Sequence, residues 1–348
     1  CHRSQGDQFE SGKHAKAWDA MQAMPTIHWQ PMSLIEGQKG CGGCHKIGLK
    51  SDEQIKKLKE QGQDFGIVAC DSCHTRHTFS AREARQPQAC RTCHMGFDHP
   101  QWEMFESSKH GVKSSLKQMG VLPEGYAAPT CQRCHMPEGN HAVSTAWGFF
   151  GVRLPMPEDQ QWAEARKTIL KAIGVLDRRG QETKRFYDLM NLDVFRVKQK
   201  DWERERRRML EVCSDCHSEN FASRELEKGD AMLRRADLLM AEAIRIVQEL
   251  YKKGRLGKEQ ENPALDILRL HDAPTAIEQQ LFLMFMKHRM RTFQGAFHMN
   301  PDYTFWYGWA KMRRDLIQIK SMARELGWEP ENEARDRHGA SHRLEGGR

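Results

Sequence analysis

The sequence predicts a mostly α-helical protein in two parts: a first domain wrapped around stacked cofactors and a second built as a bundle of long helices. Two observations predict this fold. Five copies of the motif Cys-x-x-Cys-His occur, at residues 41–45, 70–74, 90–94, 131–135 and 213–217. After residue 157, apolar residues recur three and four positions apart over long stretches, which is the period of an amphipathic helix. The boundary between the parts therefore falls near Pro157.

The five motifs are those of covalently attached haem c. Two cysteines three residues apart lie on the same side of a helical turn, so each thiol can bond one haem vinyl group, and the next residue offers an imidazole to the iron. Zinc sites and thioredoxin-like redox pairs also use Cys-x-x-Cys, but zinc sites fix no histidine after each second cysteine and a redox pair occurs once. Disulfides are a weaker alternative because the motifs account for the cysteines. The predicted haem-attachment residues are Cys1, Cys41, Cys44, Cys70, Cys73, Cys90, Cys93, Cys131, Cys134, Cys213 and Cys216.

The first two residues look like the end of a sixth motif that is cut between its two cysteines. Cys1 is followed by His2 just as the second cysteine of each complete motif is followed by its histidine. We therefore expect five complete haem sites and a partial sixth, in a chain that begins inside a longer protein.

The composition fits a core that haem helps to fill. Of the 348 residues, 39% are hydrophobic and 8% aromatic, and the mean hydropathy is −0.77, which is polar for one or two domains. The formal net charge is +7, but haem propionates offset it, so we expect no nucleic-acid partner. No apolar run of about 18 residues occurs, so no transmembrane segment is expected. Because haem is attached to cysteine outside the cytoplasm, we expect a periplasmic or equivalent exported compartment.

The two parts differ in how densely they carry haem motifs. Residues 1–157 form the predicted multihaem domain, in which residues 46–69 are highly charged and predict a solvated surface helix. Residues 158–348 form the predicted helical domain, which carries one further haem and a mobile tail from about residue 329. Its predicted helices span residues 160–210, 222–256, 275–294 and 303–327. An arginine-rich run, residues 204–208, fits either a solvated helix face or pairing with haem propionates.

Histidines supply the predicted iron ligands on both sides of the haems. The motif histidines are His2, His45, His74, His94, His135 and His217. An electron-transfer haem takes a second histidine, and the candidates for this position are His14, His77, His110, His141 and His298. The alternative for any one of them is an ordinary hydrogen-bonded histidine. His28, His271 and His288 have no predicted role, and His338 and His342 lie in the predicted tail.

Several short stretches carry a family resemblance. They are Cys70-Asp-Ser-Cys-His-Thr-Arg-His77-Thr-Phe-Ser, Pro87-Gln-Ala-Cys90, Gly96-Phe-Asp98-His99, Trp102, Ser108-Lys-His110-Gly, Ala128-Pro-Thr-Cys131, Cys134-His-Met, His298-Met-Asn-Pro301 and Gly308-Trp309. On these, the chain from about His2 to Met322 resembles the octahaem hydroxylamine oxidoreductases. The resemblance implies eight haems in the full protein, with two motifs and half of a third upstream of Cys1.

The resemblance also implies an active site. It places a five-coordinate catalytic haem at Cys41, Cys44 and His45, and an active-site pair at Asp98 and His99. A carboxylate beside an imidazole can relay protons to or from a nitrogen compound while electrons move through the haems. The alternative for the pair is a helix cap plus a haem ligand.

One departure from the family bears on the direction of catalysis. Oxidising members bond the catalytic haem to a tyrosine of a neighbouring subunit, and alignment on Gly308-Trp309 places Phe305 at that position. Tyr303 or Tyr307 fits only if a gap is moved, and a second family tyrosine falls at Phe150. Members without the cross-link resemble reductases.

The predicted function is that of a multihaem oxidoreductase that reduces nitrite or hydroxylamine. Oxidation of hydroxylamine or hydrazine is the close alternative, and a non-catalytic electron-transfer cytochrome is a third. The expected partners are a small inorganic nitrogen substrate, a redox protein such as a small or quinone-linked cytochrome, and further copies of the chain, with a homotrimer favoured.

Overall fold

The computed structural model describes residues 2–23, 53, 56–57, 60, 70–74, 78–148, 150–195, 198–257 and 265–330. These residues form α-helices, short 3₁₀ turns and two π-helical segments, and the β contact found among them is an isolated antiparallel bridge between Leu176 and Glu182. The predicted mostly α-helical class is confirmed. Within these ranges, no helix is both long and apolar enough to cross a membrane.

The first part of the described chain holds short helices. They are α1 (Arg3–Ser11), α2 (Ala17–Ala23), α3 (Ala81–Ala84), α4 (Gln88–Arg91), α5 (Gln101–Glu106), α6 (Lys109–Gln118) and α7 (Cys131–His135). Side-chain caps begin several of them: the Ser108 hydroxyl accepts from the Gly111 amide at 3.1 Å, and the Thr130 hydroxyl accepts from the Arg133 amide at 3.3 Å. At position 111, a Cβ would lie 1.9 Å from the Phe105 carbonyl oxygen. The close turn between α5 and α6 therefore requires glycine directly after His110.

Few apolar side chains are buried in this first part. Among the described residues before Ala146, the buried hydrophobic residues are Ala15, Trp102 and Met104. The hydrophobic core cluster begins at Ala146 and is built from the later helices. A segment of this length does not fold on so small an apolar core. The shortage fits the expectation that haem supplies apolar volume here.

The second part is a bundle of longer helices. They are α8 (Gln160–Ala172), α9 (Lys184–Asn191), α10 (Gln199–Ser214), α11 (Glu219–Lys252), α12 (Ala276–Leu283), α13 (Met290–Phe297), α14 (Pro301–Tyr303) and α15 (Ala310–Glu325). A π-helical segment, Met284–Arg289, joins α12 to α13, and another, Thr304–Trp309, joins α14 to α15. Gly308 permits the second segment to pack closely, because a Cβ there would lie 2.5 Å from the Thr292 hydroxyl.

Helix α11 is the centre of the bundle and packs against α8, α13 and α15. Its fully buried face includes Leu233, Met240, Ile244 and Val247, which recur at the helical spacing that the sequence predicts. Each such side chain contributes about 1.5–3 kcal/mol by burial. The long predicted helix 222–256 thus corresponds to α11.

Three of the predicted helical segments differ from the structure. The segment 160–210 is not one helix but α8, α9 and α10. Gly174 ends α8 in a left-handed conformation at φ +69, the Leu176–Glu182 bridge follows, and the Thr183 hydroxyl caps α9. Turn and cap chemistry here outweighs the apolar period. The segments 275–294 and 303–327 are each interrupted by one of the π-helical segments. Most of the segment 46–69 lies outside the described residues, and its described positions 53, 56, 57 and 60 are helical.

A buried ion pair holds residues 150–151, which precede α8, against the helical bundle. Asp237 on α11 and Arg289 are both fully buried, and Arg289 Nε and Nη2 donate to Asp237 Oδ1 at 3.0 and 2.7 Å. Arg289 Nη1 also donates to the Phe150 carbonyl at 2.8 Å, and Arg166 Nη1 donates to the Gly151 carbonyl at 3.0 Å. Burial lowers the pKa of Arg166 while the Asp237 charge opposes that change. The pair thereby holds residues 150–151 against α8 and α11.

Candidate haem sites and active site

Four of the predicted haem motifs lie in the described part of the chain, and each forms one helical turn. The histidine amide reaches back to the carbonyl of the first cysteine at 2.8 Å from His74 to Cys70, 2.9 Å from His94 to Cys90 and 3.0 Å from His217 to Cys213. The fourth motif is helix α7 itself, Cys131–His135. This turn places both thiols and the imidazole on one side of the backbone, as covalent attachment of haem c requires.

Consecutive motifs lie next to one another in space. Burial, and after it the neighbouring Cys90 and Cys93, raises the pKa of the Cys73 thiol to about 11. Burial and then Cys213 raise the pKa of the Cys134 thiol to about 11. No disulfide joins the cysteines in the described ranges. The order of the motifs along the chain is therefore also their order in space.

Each of these four motif histidines faces a second histidine. The ring centroids are 6.0 Å apart for His14 and His94, 6.4 Å for His74 and His141, 6.1 Å for His110 and His217, and 6.4 Å for His135 and His298. Two imidazoles that bind one metal ion from opposite sides, at about 2 Å from each ring nitrogen, have centroids about 6 Å apart. The separations therefore match bis-histidine ligation, and four of the five candidate distal histidines occupy these positions.

The environment of the paired rings also suits iron ligation. Burial lowers the pKa of His94 to about 4 and that of His135 to about 3, and it lowers the pKa of His14 and His298. These rings are therefore neutral, which is the form that binds a metal. In the described residues, no group of three or more His, Cys, Asp or Glu side chains converges to hold a metal ion. The donor set fits haem c, held by two thioethers and two axial imidazoles.

Several predicted site residues lie outside the described residues. They are Cys1, Cys41, Cys44, His45 and His77. His2 is described and is exposed directly before α1. The predicted catalytic haem and its coordination therefore stay predictions.

Asp98 and His99 form a contact just after the Cys90 motif. His99 Nδ1 faces Asp98 Oδ1, and His99 Nε2 lies 2.9 Å from the Cys93 carbonyl oxygen. Asp98 is buried and His99 partly buried. Burial lowers the pKa of His99, but the Asp98 hydrogen bond and charge more than offset this, so the net shift is upward. In this arrangement Asp98 and the Cys93 carbonyl hold the His99 ring.

Two glutamines connect these groups, and sequence reasoning did not find them. His94 Nδ1 lies 3.2 Å from Gln101 Oε1, and Gln101 Nε2 donates to Gln294 Oε1 at 3.1 Å. Gln294 Nε2 in turn donates to the Asp98 carbonyl at 3.3 Å. One signal was available: Gln294 precedes His298 by four positions and so lies on the same helix face.

The segment that aligns with the family's cross-linking tyrosine lies at the surface. Tyr303 is buried, with its ring centroid 4.8 Å from that of Tyr307. Phe305, Trp306 and Tyr307, on the π-helical segment, are 46%, 61% and 53% exposed. We call these three residues the aromatic patch. Phe150, the position of the second family tyrosine, is buried in the core.

Other residues singled out in the sequence have structural partners. His288 is buried against Asp315, away from the four histidine pairs. In the arginine-rich run, Arg206 pairs with Asp230, whereas Arg208 lines a recess with Cys134. Part of the run is therefore used inside the protein and not only as a solvated face.

Comparisons with known proteins agree with the helical fold. A structure described as a reducing HAO-like protein complex of Kuenenia stuttgartiensis superposes with a TM-score of 0.67 at 24% identity, covering 99% of this chain and 72% of that one. A structure described as a hypothetical multiheme protein superposes with a TM-score of 0.64 at 20% identity, covering 93% of this chain and 77% of that one. These likenesses concern the fold.

A curated relative is similar in sequence. It is the probable nitrite reductase-hydroxylamine oxidoreductase fusion protein of Kuenenia stuttgartiensis, which is 27% identical with 76% of this chain covered. The chain spans 37% of the length of that relative. A family model described as "Seven times multi-haem cytochrome CxxCH" matches residues 3–194 and 186–263. The chain belongs to this family of multihaem CxxCH cytochromes and has an HAO-like fold.

Proposed function

We propose that this chain is the electron-transfer and catalytic part of an oxidoreductase that reduces nitrite or hydroxylamine. The observation that carries the proposal is the row of four histidine pairs beside Asp98 and His99. Haem c, when bound, supplies one-electron transfer and an iron that can take a small nitrogen compound as a ligand. The name of the curated relative, which pairs nitrite reductase with hydroxylamine oxidoreductase, supports the substrate class.

The role proposed for Asp98 and His99 is to hold and deliver protons. Reduction of nitrite consumes protons as well as electrons, so a proton donor in the site speeds turnover. Both ring nitrogens of His99 face acceptors, the Asp98 carboxylate and the Cys93 carbonyl, which favours the doubly protonated ring. Asp98 then stabilises the charge of His99 and orients its ring.

The coordination state of the haem at Cys41, Cys44 and His45 is the proposed difference between this chain and a pure electron-transfer cytochrome. An iron with an open position binds cyanide or nitric oxide, whereas irons held by two histidines do not bind them readily. Cyanide titration of the purified full chain, followed by optical and paramagnetic resonance spectra, is expected to change one haem and leave the other haems low-spin. If no haem binds cyanide, the catalytic proposal fails and the electron-transfer alternative replaces it.

Oxidation of hydroxylamine or hydrazine is the second candidate. The observation that favours it is Tyr307, which is exposed in the aromatic patch and is chemically able to cross-link to a haem of another subunit. Turnover assays separate the two directions. With reduced methyl viologen as electron donor, nitrite and hydroxylamine are expected to be consumed. With an oxidising dye as acceptor, hydroxylamine and hydrazine are expected to react much more slowly.

The setting of the protein is part of the proposal. We infer an exported, periplasmic-type location from the chemistry of haem attachment, and a trimer that brings the aromatic patch of one subunit to the next. We also propose a division into a multihaem domain up to residue 157 and a helical domain after it, and the concentration of the apolar core from Ala146 onwards supports it.

A further inference from the structure

A pair of glutamine side chains joins a predicted iron ligand to the active-site aspartate. We call Gln101 and Gln294 the amide bridge. His94 Nδ1 donates to Gln101 Oε1 at 3.2 Å, because Nε2 is the nitrogen left to face iron. Gln101 Nε2 donates to Gln294 Oε1 at 3.1 Å, and Gln294 Nε2 donates to the Asp98 carbonyl at 3.3 Å. The donors and acceptors therefore run in one direction without conflict, from His94 to Asp98.

The amide bridge also meets the ligand of a second haem. His298 Nδ1 donates to the backbone carbonyl of Gln294 at 2.7 Å. Gln294 is 6% exposed and lies on α13, which ends immediately before His298. Gln294 thus hydrogen-bonds to Gln101, which contacts His94 of the His14–His94 pair. Its own backbone carbonyl accepts from His298 of the His135–His298 pair.

The four histidine pairs are not equivalent in this respect. His141, the partner of His74, has a buried Nδ1 without a hydrogen-bond partner in the described part of the chain. An acceptor on Nδ1 makes an imidazole a more basic ligand, and a more basic ligand favours the oxidised iron. Because Gln101 provides such an acceptor and His141 lacks one, the two haems should differ in reduction potential.

We propose that Gln101 is a positioning residue that lowers the reduction potential of the haem attached at Cys90 and Cys93, and that Gln294 holds its amide in the required orientation. The inference rests on the proposed ligation of that haem by His14 and His94. The amide bridge thereby sets the driving force for electron transfer at the haem adjacent to Asp98 and His99. Gln101 touches the ligand and not the substrate.

The test is a potentiometric titration of the purified full chain, monitored by electron paramagnetic resonance. A His14→Met variant first identifies the low-spin signal of this haem, since only that haem changes its ligand. Gln101→Met keeps the side-chain length but removes the amide acceptor. At the wild-type midpoint potential, the ratio of reduced to oxidised haem should then rise about fivefold, which is the effect expected from the loss of one neutral hydrogen bond. Gln294→Met should move the same signal in the same direction by less.

Two further variants make the result specific. Gln101→Glu keeps an oxygen acceptor and should move the signal the opposite way or leave it in place. Gln88→Met is the matched control, because Gln88 lies on the helix of the same motif but donates to Gln118 at 2.9 Å, and no signal should move.

The outcomes separate this inference from the proposed function. If His14→Met changes no low-spin signal, the proposed ligation is wrong and the inference falls with it. If that signal is found and Gln101→Met titrates at the wild-type potential, the ligation stands and the inference is overturned. If Gln101→Met fails to take up haem, Gln101→Glu decides, and an increase in its potential overturns the inference.

Discussion

The Nε2 of His99 lies 2.9 Å from the carbonyl oxygen of Cys93, a haem-attachment residue. The other ring nitrogen faces Asp98, so both nitrogens meet acceptors. A ring in this position is most stable when both nitrogens carry protons. The upward pKa shift of His99 agrees with that state, since the Asp98 hydrogen bond and charge exceed the opposing effect of burial. We propose that a histidine so held donates protons at the site, next to the haem attached at Cys90 and Cys93.

Replacement of either member of the pair should reduce turnover. Asp98→Asn and His99→Ala are expected to lower nitrite reduction about 10²–10⁴-fold, the usual effect of losing one positioned proton donor. The measurement is steady-state turnover with reduced methyl viologen. Haem content, read from the pyridine haemochrome spectrum, should stay at the wild-type value. Turnover at the wild-type rate in either variant would assign the pair a structural role.

The pH dependence of turnover should follow the protonation of His99. Because its pKa in the folded protein is raised, the protonated donor persists to higher pH than a free histidine, and turnover falls as the pH rises through that pKa. In the unfolded chain the pKa of His99 is about 6.5. The Asp98–His99 pair therefore contributes its full stabilisation of the folded state below that pH, and this contribution is lost as the pH rises through the higher pKa of the folded protein. Asp98→Asn should move the fall in turnover to lower pH. A residual rate with the wild-type pH profile would contradict this assignment.

The sequence predicts the haem motifs and candidate ligands better than it predicts how they pair. The spacing of Cys131 to His135 is local, and local helical geometry explains it. The pairing of His135 with His298 is not local, because it depends on how α13 packs over the first domain. Gln101 and Gln294 were not predicted for the same reason: they are far apart in the sequence, and no neighbouring residue indicates that their side chains hydrogen-bond to each other.

The helical part shows a similar limit. The apolar period identified the long face of α11, because burial follows that period directly. It did not indicate the π-helical segments Met284–Arg289 and Thr304–Trp309, because each is only 6 residues long and a single wide turn is too short to show a period of its own. The single helix predicted over residues 160–210 failed because Gly174 ends α8 by its backbone conformation.

Removal of a distal histidine should convert one low-spin haem into a high-spin haem. His298→Ala is expected to do this at the Cys131 haem, since His298 faces His135 at a centroid distance of 6.4 Å. His288→Gln is the matched control, because His288 is also buried in the bundle but contacts Asp315. It should leave all haems low-spin while lowering the free energy of unfolding by about 1–3 kcal/mol, the effect of a disturbed buried hydrogen bond. A low-spin Cys131 haem in His298→Ala would exclude His298 as the ligand.

The aromatic patch should hold copies of the chain together. Phe305, Trp306 and Tyr307 are consecutive aromatic residues with exposed side chains. Exposed apolar patches of this kind mark surfaces where proteins associate. Trp306→Glu combined with Tyr307→Glu is expected to convert trimers into monomers at micromolar concentration, measured by light scattering. Val121→Glu serves as the control, because Val121 is 64% exposed but lies outside the patch. Trimers in the double variant, or a wild-type chain that is already monomeric, would disprove this assembly.

No tyrosine should be covalently bonded to the catalytic haem. Phe305, which occupies the aligned position, has no hydroxyl to form such a bond. Tyr303 is buried, with only 8% of its surface exposed, and its ring packs against Tyr307. Its backbone amide donates to Asn300 Oδ1 at 3.0 Å. Burial raises the pKa of its phenol, so less of the reactive phenolate is present. Tyr307 is exposed and is therefore the one of these two tyrosines that can reach a neighbouring subunit. Peptide mass spectrometry of the digested protein tests this: recovery of a Tyr307 peptide joined to the haem peptide of Cys41 and Cys44 would replace reduction by oxidation of hydroxylamine or hydrazine as the proposed function.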